Sequence, residues 1–212
     1  IIVEACDGAG NCVIQPSGAY YLDNSAPTIT FGTNGNGAYQ KSVSTKVTAN
    51  ANTGSIVSLK YIVSTDKNDT PTTDIANGGT VTISGKTGTY YVVAKACDQA
   101  GNCTTKASGA FKLDNSAPTI TFGTNGNSTY AKSRSTTVTA NANTGTLASL
   151  TYTTSTSTSA TPNTNLSNGG TVTISGVTGT YYVVAKACDG AGNCTTKASG
   201  AFKLDNTKPT AS

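Results

Sequence analysis

The chain has 212 residues and a formal net charge of +4, with 11% charged and 36% hydrophobic residues and no His, Met or Trp. Without His the commonest general base and metal ligand is missing. The scattered Lys41, Lys60, Lys86, Lys106 and Lys112 form no basic cluster for nucleic acid, and no apolar run approaches the ~20 residues that a membrane-spanning helix needs. Thr, Ser, Asn and Gly dominate the rest; Thr favours strands, and Gly and Asn favour turns. An all-β protein with a neutral, hydroxyl-rich surface is expected, with no nucleic-acid partner and no membrane contact by this segment.

The sequence repeats itself. Ser25–Asn115 returns at Ser116–Asn206 with a period of 91 residues, and about 70 of those 91 positions are identical. A third, partial copy opens the chain, because Ala5–Cys12 matches Ala96–Cys103 and Ala187–Cys194. A fixed period marks an array in which each repeat is one structural unit. The expected units are 1–24, the closing hairpin of a preceding truncated repeat; 25–115 and 116–206, two full repeats; and 207–212, the start of the next. Both ends read as cut from a longer array. The first partners of each repeat are its neighbours in the same chain.

Within the first full repeat, strand signals are short alternating runs between Gly and Asn clusters. Pro27–Phe31 reads as the first strand with Ile29 and Phe31 inward, and Thr33–Gly37 as a turn cluster. Val43–Ala51 and Leu59–Val63 are the second and third strands, and Ser64–Asn77 is a polar loop or weak edge strand. Thr80–Ser84 alternates cleanly. In Thr89–Cys97, Tyr90, Val92, Ala94 and Ala96 fall on one face, and Tyr91, Val93, Lys95 and Cys97 on the other, which Lys95 marks as outward. The last strand runs from Cys103 to Leu113 with a kink at Ser108-Gly109. Six or seven short strands of this spacing predict an antiparallel two-sheet sandwich. The second repeat keeps the pattern except at Thr153–Thr164, which is nearly all Ser and Thr.

The strongest motif is Cys-Asp-x-Ala-Gly-Asn-Cys. Its cysteines flank a five-residue hairpin loop in which Gly101 supplies a left-handed residue. Antiparallel pairing sets them opposite each other, which predicts the disulfides Cys6–Cys12, Cys97–Cys103 and Cys188–Cys194. Paired cysteines in small repeated domains point to an oxidising, extracellular setting. A zinc site would want four ligands, and a redox site Cys-x-x-Cys; neither pattern is present. The second motif, Leu-Asp-Asn-Ser-Ala-Pro at Leu22–Pro27 and Leu113–Pro118, joins one repeat to the next, stiffened by Pro.

In a sandwich of this topology the tip loop lies at the pole nearest the preceding linker. Asp98 and Asn102 then approach Asp23, and Asp189 and Asn193 approach Asp114. Two readings stand. These oxygens can hold a weak Ca²⁺ at each junction, or Asp and Asn cap their own turns. No other cofactor is implied. A Lys–Asn isopeptide bond would draw on Lys41 or Lys132 with Asn115 or Asn206, and no Glu occurs beyond Glu4 to catalyse it. Asp66 and Asp69 become Ser157 and Ala160 in the second repeat, and no Ser nucleophile has a His to activate it, so no enzyme is expected. Tyr91 and Tyr182 are apolar on the outward face, where they pack under a neighbouring strand or form a contact patch.

The run from Tyr90 to Asn102 with its Asp-x-Ala-Gly-Asn loop, followed by the Leu-Asp-Asn-x-x-Pro-Thr linker, resembles the bacterial immunoglobulin-like tandem repeats of large cell-surface proteins. The resemblance covers both full repeats and the opening fragment, and supplies no catalytic residues. It implies immunoglobulin-like antiparallel β-sandwiches in an elongated array, secretion, and a stalk or adhesin role. Tyr61 and Tyr152 stand in for the Trp of antibody-type domains. The expected function is a structural extracellular spacer; the alternative is an adhesive module that binds glycan or a host surface protein through its variable loops.

Overall fold

A computed structural model describes residues 1–210. Each full repeat folds as two antiparallel sheets. In the first repeat, β3 (Thr28–Phe31), β4 (Ser42–Asn50) and β7 (Gly79–Ser84) form one sheet in the order β3-β4-β7. The other holds β5 (Ile56–Ser64), β6 (Thr73–Asp74), β8 (Gly88–Asp98), β9 (Cys103–Ala107) and β10 (Phe111–Leu113), with β8 central between β5 and the β9/β10 side. The second repeat repeats this with β11 (Thr119–Phe122), β12 (Ser133–Asn141), β13 (Leu147–Ser155), β14 (Thr164–Asn165), β15 (Gly170–Ser175), β16 (Gly179–Asp189), β17 (Cys194–Ala198) and β18 (Phe202–Leu204). The protein is therefore all-β, with immunoglobulin-like sandwiches in tandem, and no helix occurs among the described residues.

The alternation read from the sequence sets the layers. On β4, Val43, Thr45, Val47 and Ala49 are buried while their neighbours are exposed. They meet Val92, Ala94 and Ala96 of β8 with Phe111 and Leu113, all five fully buried. Burying a side chain the size of Val92, Phe111 or Leu113 contributes roughly 1.5–3 kcal/mol. The polar exception, Thr45, gives its hydroxyl to the Thr33 carbonyl at 2.6 Å. Tyr61 packs half-buried against this core, as Tyr152 does in the second.

Two expectations are corrected, at the last strand and at Val93. The strand expected from Cys103 to Leu113 is two strands, because Ser108 turns inward and its hydroxyl receives the Val92 N–H at 3.0 Å. The weak edge strand allowed for within Ser64–Asn77 is β6, which pairs at Lys60↔Asp74 and Tyr61↔Thr73. Val93, placed on the outward face, is fully buried, flanked in register by Ile62 and Ala107. In the second repeat Arg134 occupies the inward place of Val43; its guanidinium escapes to the Thr129 carbonyl at 2.8 Å and leaves Nε buried without a partner among the described residues.

The opening segment is a lone hairpin of β1 (Ile2–Cys6) and β2 (Cys12–Pro16). It builds no core: Ile2 is 73% exposed and Ile14 62% exposed.

Candidate functional site: the inter-repeat junction

The chemistry-bearing motifs converge where one repeat meets the next. The tip loop between β16 and β17 is closed by Cys188–Cys194, Cα–Cα 4.1 Å. Inside it Asp189 is buried. Its Oδ1 accepts the N–H groups of Ala191 (2.9 Å) and Asn193 (2.8 Å), and its Oδ2 accepts Asn193 Nδ2 at 2.9 Å. The loop is thus a capped turn fixed at both ends. The other two loops are built alike around Asp98 with Cys97–Cys103 and Asp7 with Cys6–Cys12. Gly101 holds the left-handed φ of +91° that the turn requires. The Asn11 side-chain amide, followed by the N–H groups of Asn11 and Ala9, holds the Asp7 carboxyl below its ordinary value.

The second hydrogen of the Asn193 amide crosses to the preceding linker. Asn193 Nδ2 donates to the Asp114 carbonyl at 3.0 Å, and Asn102 Nδ2 donates to the Asp23 carbonyl at 3.1 Å. A second asparagine holds the linker three residues on. Asn143 Nδ2 donates to the Ala117 carbonyl at 2.7 Å and Asn52 Nδ2 to that of Ala26 at 3.0 Å. Both of these residues sit in the left-handed region, at φ 65° and 63°. Each linker is therefore held at two carbonyls by two loops of the repeat that follows it. At its other end Asn115 Nδ2 donates to the carbonyls of Lys41 (2.9 Å) and Lys86 (2.7 Å) of the preceding repeat. Its amide is spent on main-chain carbonyls rather than placed against the Lys41 amine.

An aromatic contact completes the second junction. The space beside Gly145 is filled by Tyr39 of the preceding repeat; a Cβ there would stand 3.3 Å from Tyr39 Cδ2. The two surfaces border a solvent-open pocket of about 310 Å³ lined by residues that include Tyr39, Lys112, Asp114, Thr144, Gly145 and Ala191. Tyr130, one period on, is 62% exposed among the described residues. Sequence reasoning passed over Tyr39, Asn52 and Asn143. A signal existed for the tyrosine: Gly37, Ala38 and Gln40 all change in the second copy while Tyr39 returns as Tyr130.

The residues named for Ca²⁺ do meet here, but they fit the ion poorly. Asp98 and Asp189 spend both oxygens inside their loops, and Asn102 and Asn193 turn a donor, not an oxygen, towards the linker. Asp23 caps Ser25. Asp114 receives the Ser116 N–H and hydroxyl on Oδ1, which leaves only its buried Oδ2 without a partner among the described residues. A six- to eight-oxygen calcium shell is not assembled from these groups; turn capping accounts for them.

Tyr91 lies opposite Ser64 in register and carries Lys67 Nζ 5.0 Å above its ring. Tyr182 lies opposite Ser155, where the variable loop offers hydroxyls instead of a lysine. The two tyrosines do not share a site with the junction residues.

Neither a protein-family model nor a curated protein matches this sequence. Similar solved structures include the fibronectin(III)-like modules of CbhA from Clostridium thermocellum, at 15% identity and TM-score 0.38 over 84% of this chain and 94% of that one. Another is the D00-D0 domain of intimin, at 13% identity and TM-score 0.40 over 85% of this chain and 100% of that one. A third is SGBP-B of the Bacteroides ovatus mixed-linkage glucan utilization locus, solved in complex with a mixed-linkage heptasaccharide. It matches at 16% identity and TM-score 0.31 over 86% of this chain and 48% of that one.

Proposed function

We propose that this chain is a stretch of extracellular spacer, of the kind that holds a distal domain away from a bacterial surface or builds a filament. The observation that carries the reading is the linker clamp: two asparagines from two loops of the following repeat hold two linker carbonyls three residues apart, at both junctions. A flexible tether would leave that backbone to water. The three disulfide-closed tip loops suit an oxidising compartment. No catalytic role is assigned to any residue.

The experiment is small-angle scattering of the oxidised chain paired with a binding screen against glycans and extracellular-matrix proteins, with and without Ca²⁺. A spacer gives a narrow interparticle-distance profile that EDTA does not change, and retains no ligand. The adhesive reading draws on the exposed, variable Thr65–Thr70 loop and the Lys67–Tyr91 contact. A retained ligand lost on changing Tyr91 and Tyr182 to Ser would replace the spacer reading with that one.

A further inference from the structure

The sheets of each repeat have four edges, and three are blunted. Strand β3 has four residues directly after Pro27, and Lys106 Nζ donates to its Ile29 carbonyl at 2.9 Å. Lys197 does the same to Ile120 at 2.9 Å. In the second sheet, β6 and β14 are two residues long, and the opposite edge is broken between β9 and β10 and between β17 and β18. Short strands, Pro and Lys are the usual means of keeping sheet edges from pairing with other chains.

Strands β7 and β15 have none of these. Both read Gly-Thr-Val-Thr-Ile-Ser, six residues without charge or Pro, and each pairs on one side only, with β4 or β12. Val81 and Ile83 are each 2% exposed, main chain included, so their N–H and C=O groups face β4. Alternate residues of an edge strand turn these groups the other way. The open groups therefore belong to the exposed Thr80, Thr82 and Ser84, and in β15 to Thr171, Thr173 and Ser175. No hydrogen bond among the described residues covers that side.

We propose that these two strands are strand-addition sites for the same strand of a second copy of this chain, giving lateral association. The segment is self-complementary. In an antiparallel pair about a dyad at Thr82, that residue faces its own equivalent and Thr80 faces Ser84, with about six main-chain hydrogen bonds. Thr–Thr and Thr–Ser pairs of this kind are favourable across strands. The pair fuses two three-stranded sheets into one of six. Like charges do not oppose it: on that face Lys46 stands one strand back, opposite Thr80, and Thr137 replaces it in the second repeat. A foreign peptide is a poorer occupant. Strand addition takes its specificity from side-chain pockets, and the inward positions beside this edge are already filled by Val81 and Ile83.

The test is sedimentation equilibrium of the oxidised full chain from micromolar to millimolar concentration, compared with Thr82→Lys/Thr173→Lys. Both sites are exposed, so the melting temperature stays unchanged and reports an intact fold. The expected result is reversible association of the parent chain that weakens at least about tenfold in the double variant, because two lysines then face each other across the dyad. Higher salt recovers part of the loss. On association, the amides of Thr82 and Thr173 gain protection from hydrogen exchange. A parent chain that stays monomeric throughout overturns the proposal. So does association that survives the lysines and is lost instead on Ile2→Ser/Ile14→Ser in the exposed hairpin.

Discussion

Replacing Asn193 with Ala tests the junction most directly. The side chain is 8% exposed and serves two acceptors, Asp189 Oδ2 at 2.9 Å and the Asp114 carbonyl at 3.0 Å. The backbone N–H of residue 193 still reaches Asp189 Oδ1 in the variant, so the turn itself persists. What is lost is a partner for a buried carboxylate oxygen, about 1–3 kcal/mol, and one bond across the junction, about 1 kcal/mol. The sum is about 2–4 kcal/mol. With about 4–8 °C per kcal/mol for a domain of this size, the second repeat melts at least about 8 °C lower by calorimetry. The same substitution at Asn11, where Asp7 and Asn11 lie in solvent, shifts no transition. The structural consequence is read separately, as the distance distribution between dyes carried on non-natural residues at the exposed Ser44 and Thr139. It broadens in the Asn193 variant and stays narrow in the Asn11 variant. Melting and distance profiles that both match the parent would refute the clamp.

Three further outcomes follow from local geometry. Gly145→Ala and Gly54→Ala carry the same left-handed backbone penalty, at φ +70° and +73°, but only at Gly145 does a Cβ meet Tyr39, at 3.3 Å. The former therefore costs about 1 kcal/mol more than the latter in chemical denaturation, and equal costs would remove the tyrosine contact from the junction. Changing Cys97 and Cys103 together to Ser loses about 2 kcal/mol for a seven-residue closed loop, measured by urea unfolding; an unchanged midpoint would show that the Asp98 cap alone holds the loop. Arg134→Val restores the residue of the first repeat and removes the unpartnered buried Nε. Set against the lost bonds to Thr129, the second repeat gains about 1 kcal/mol, and a lower melting point would show that the guanidinium is better satisfied than its geometry indicates.

Much of the fold was legible because period-two alternation in these strands is clean. Val43, Val47 and Ala49 declare a buried face on their own, and the cysteine spacing declares a hairpin. Other features depend on what lies across a strand rather than along it. Val93 alternates with Lys95 and so reads as exposed, yet Ile62 and Ala107 close over it from both sides. Arg134 stands at the inward place that Val43 holds in the first repeat, because its long stem can carry the charge back out. The division of the last strand at Ser108 turns on one hydroxyl that satisfies Val92, a contact 16 residues apart with no local trace.

The junction shows the same limit in sharper form. Asp23, Asp114 and Asp205 occupy one position of the period, yet Asp114 is 1% exposed, Asp23 is half-buried and Asp205 is open. The residue and its neighbours are nearly the same in all three; the difference is what docks on them. Burial at that position is a property of the joint, not of the local sequence. The parts of the joint are nevertheless written into every period. Asn52 and Asn102 return as Asn143 and Asn193, Tyr39 returns as Tyr130, and the linker Asp and Pro recur, while the changes between copies gather in residues 55–76. Each repeat thus carries the receiving half of one joint and the presenting half of the next. Within one chain, the side chains that bond across the joint are the same from copy to copy even though neighbours such as Gly37 and Ala38 change, so what has been kept is the set of contacts rather than the whole surface around them.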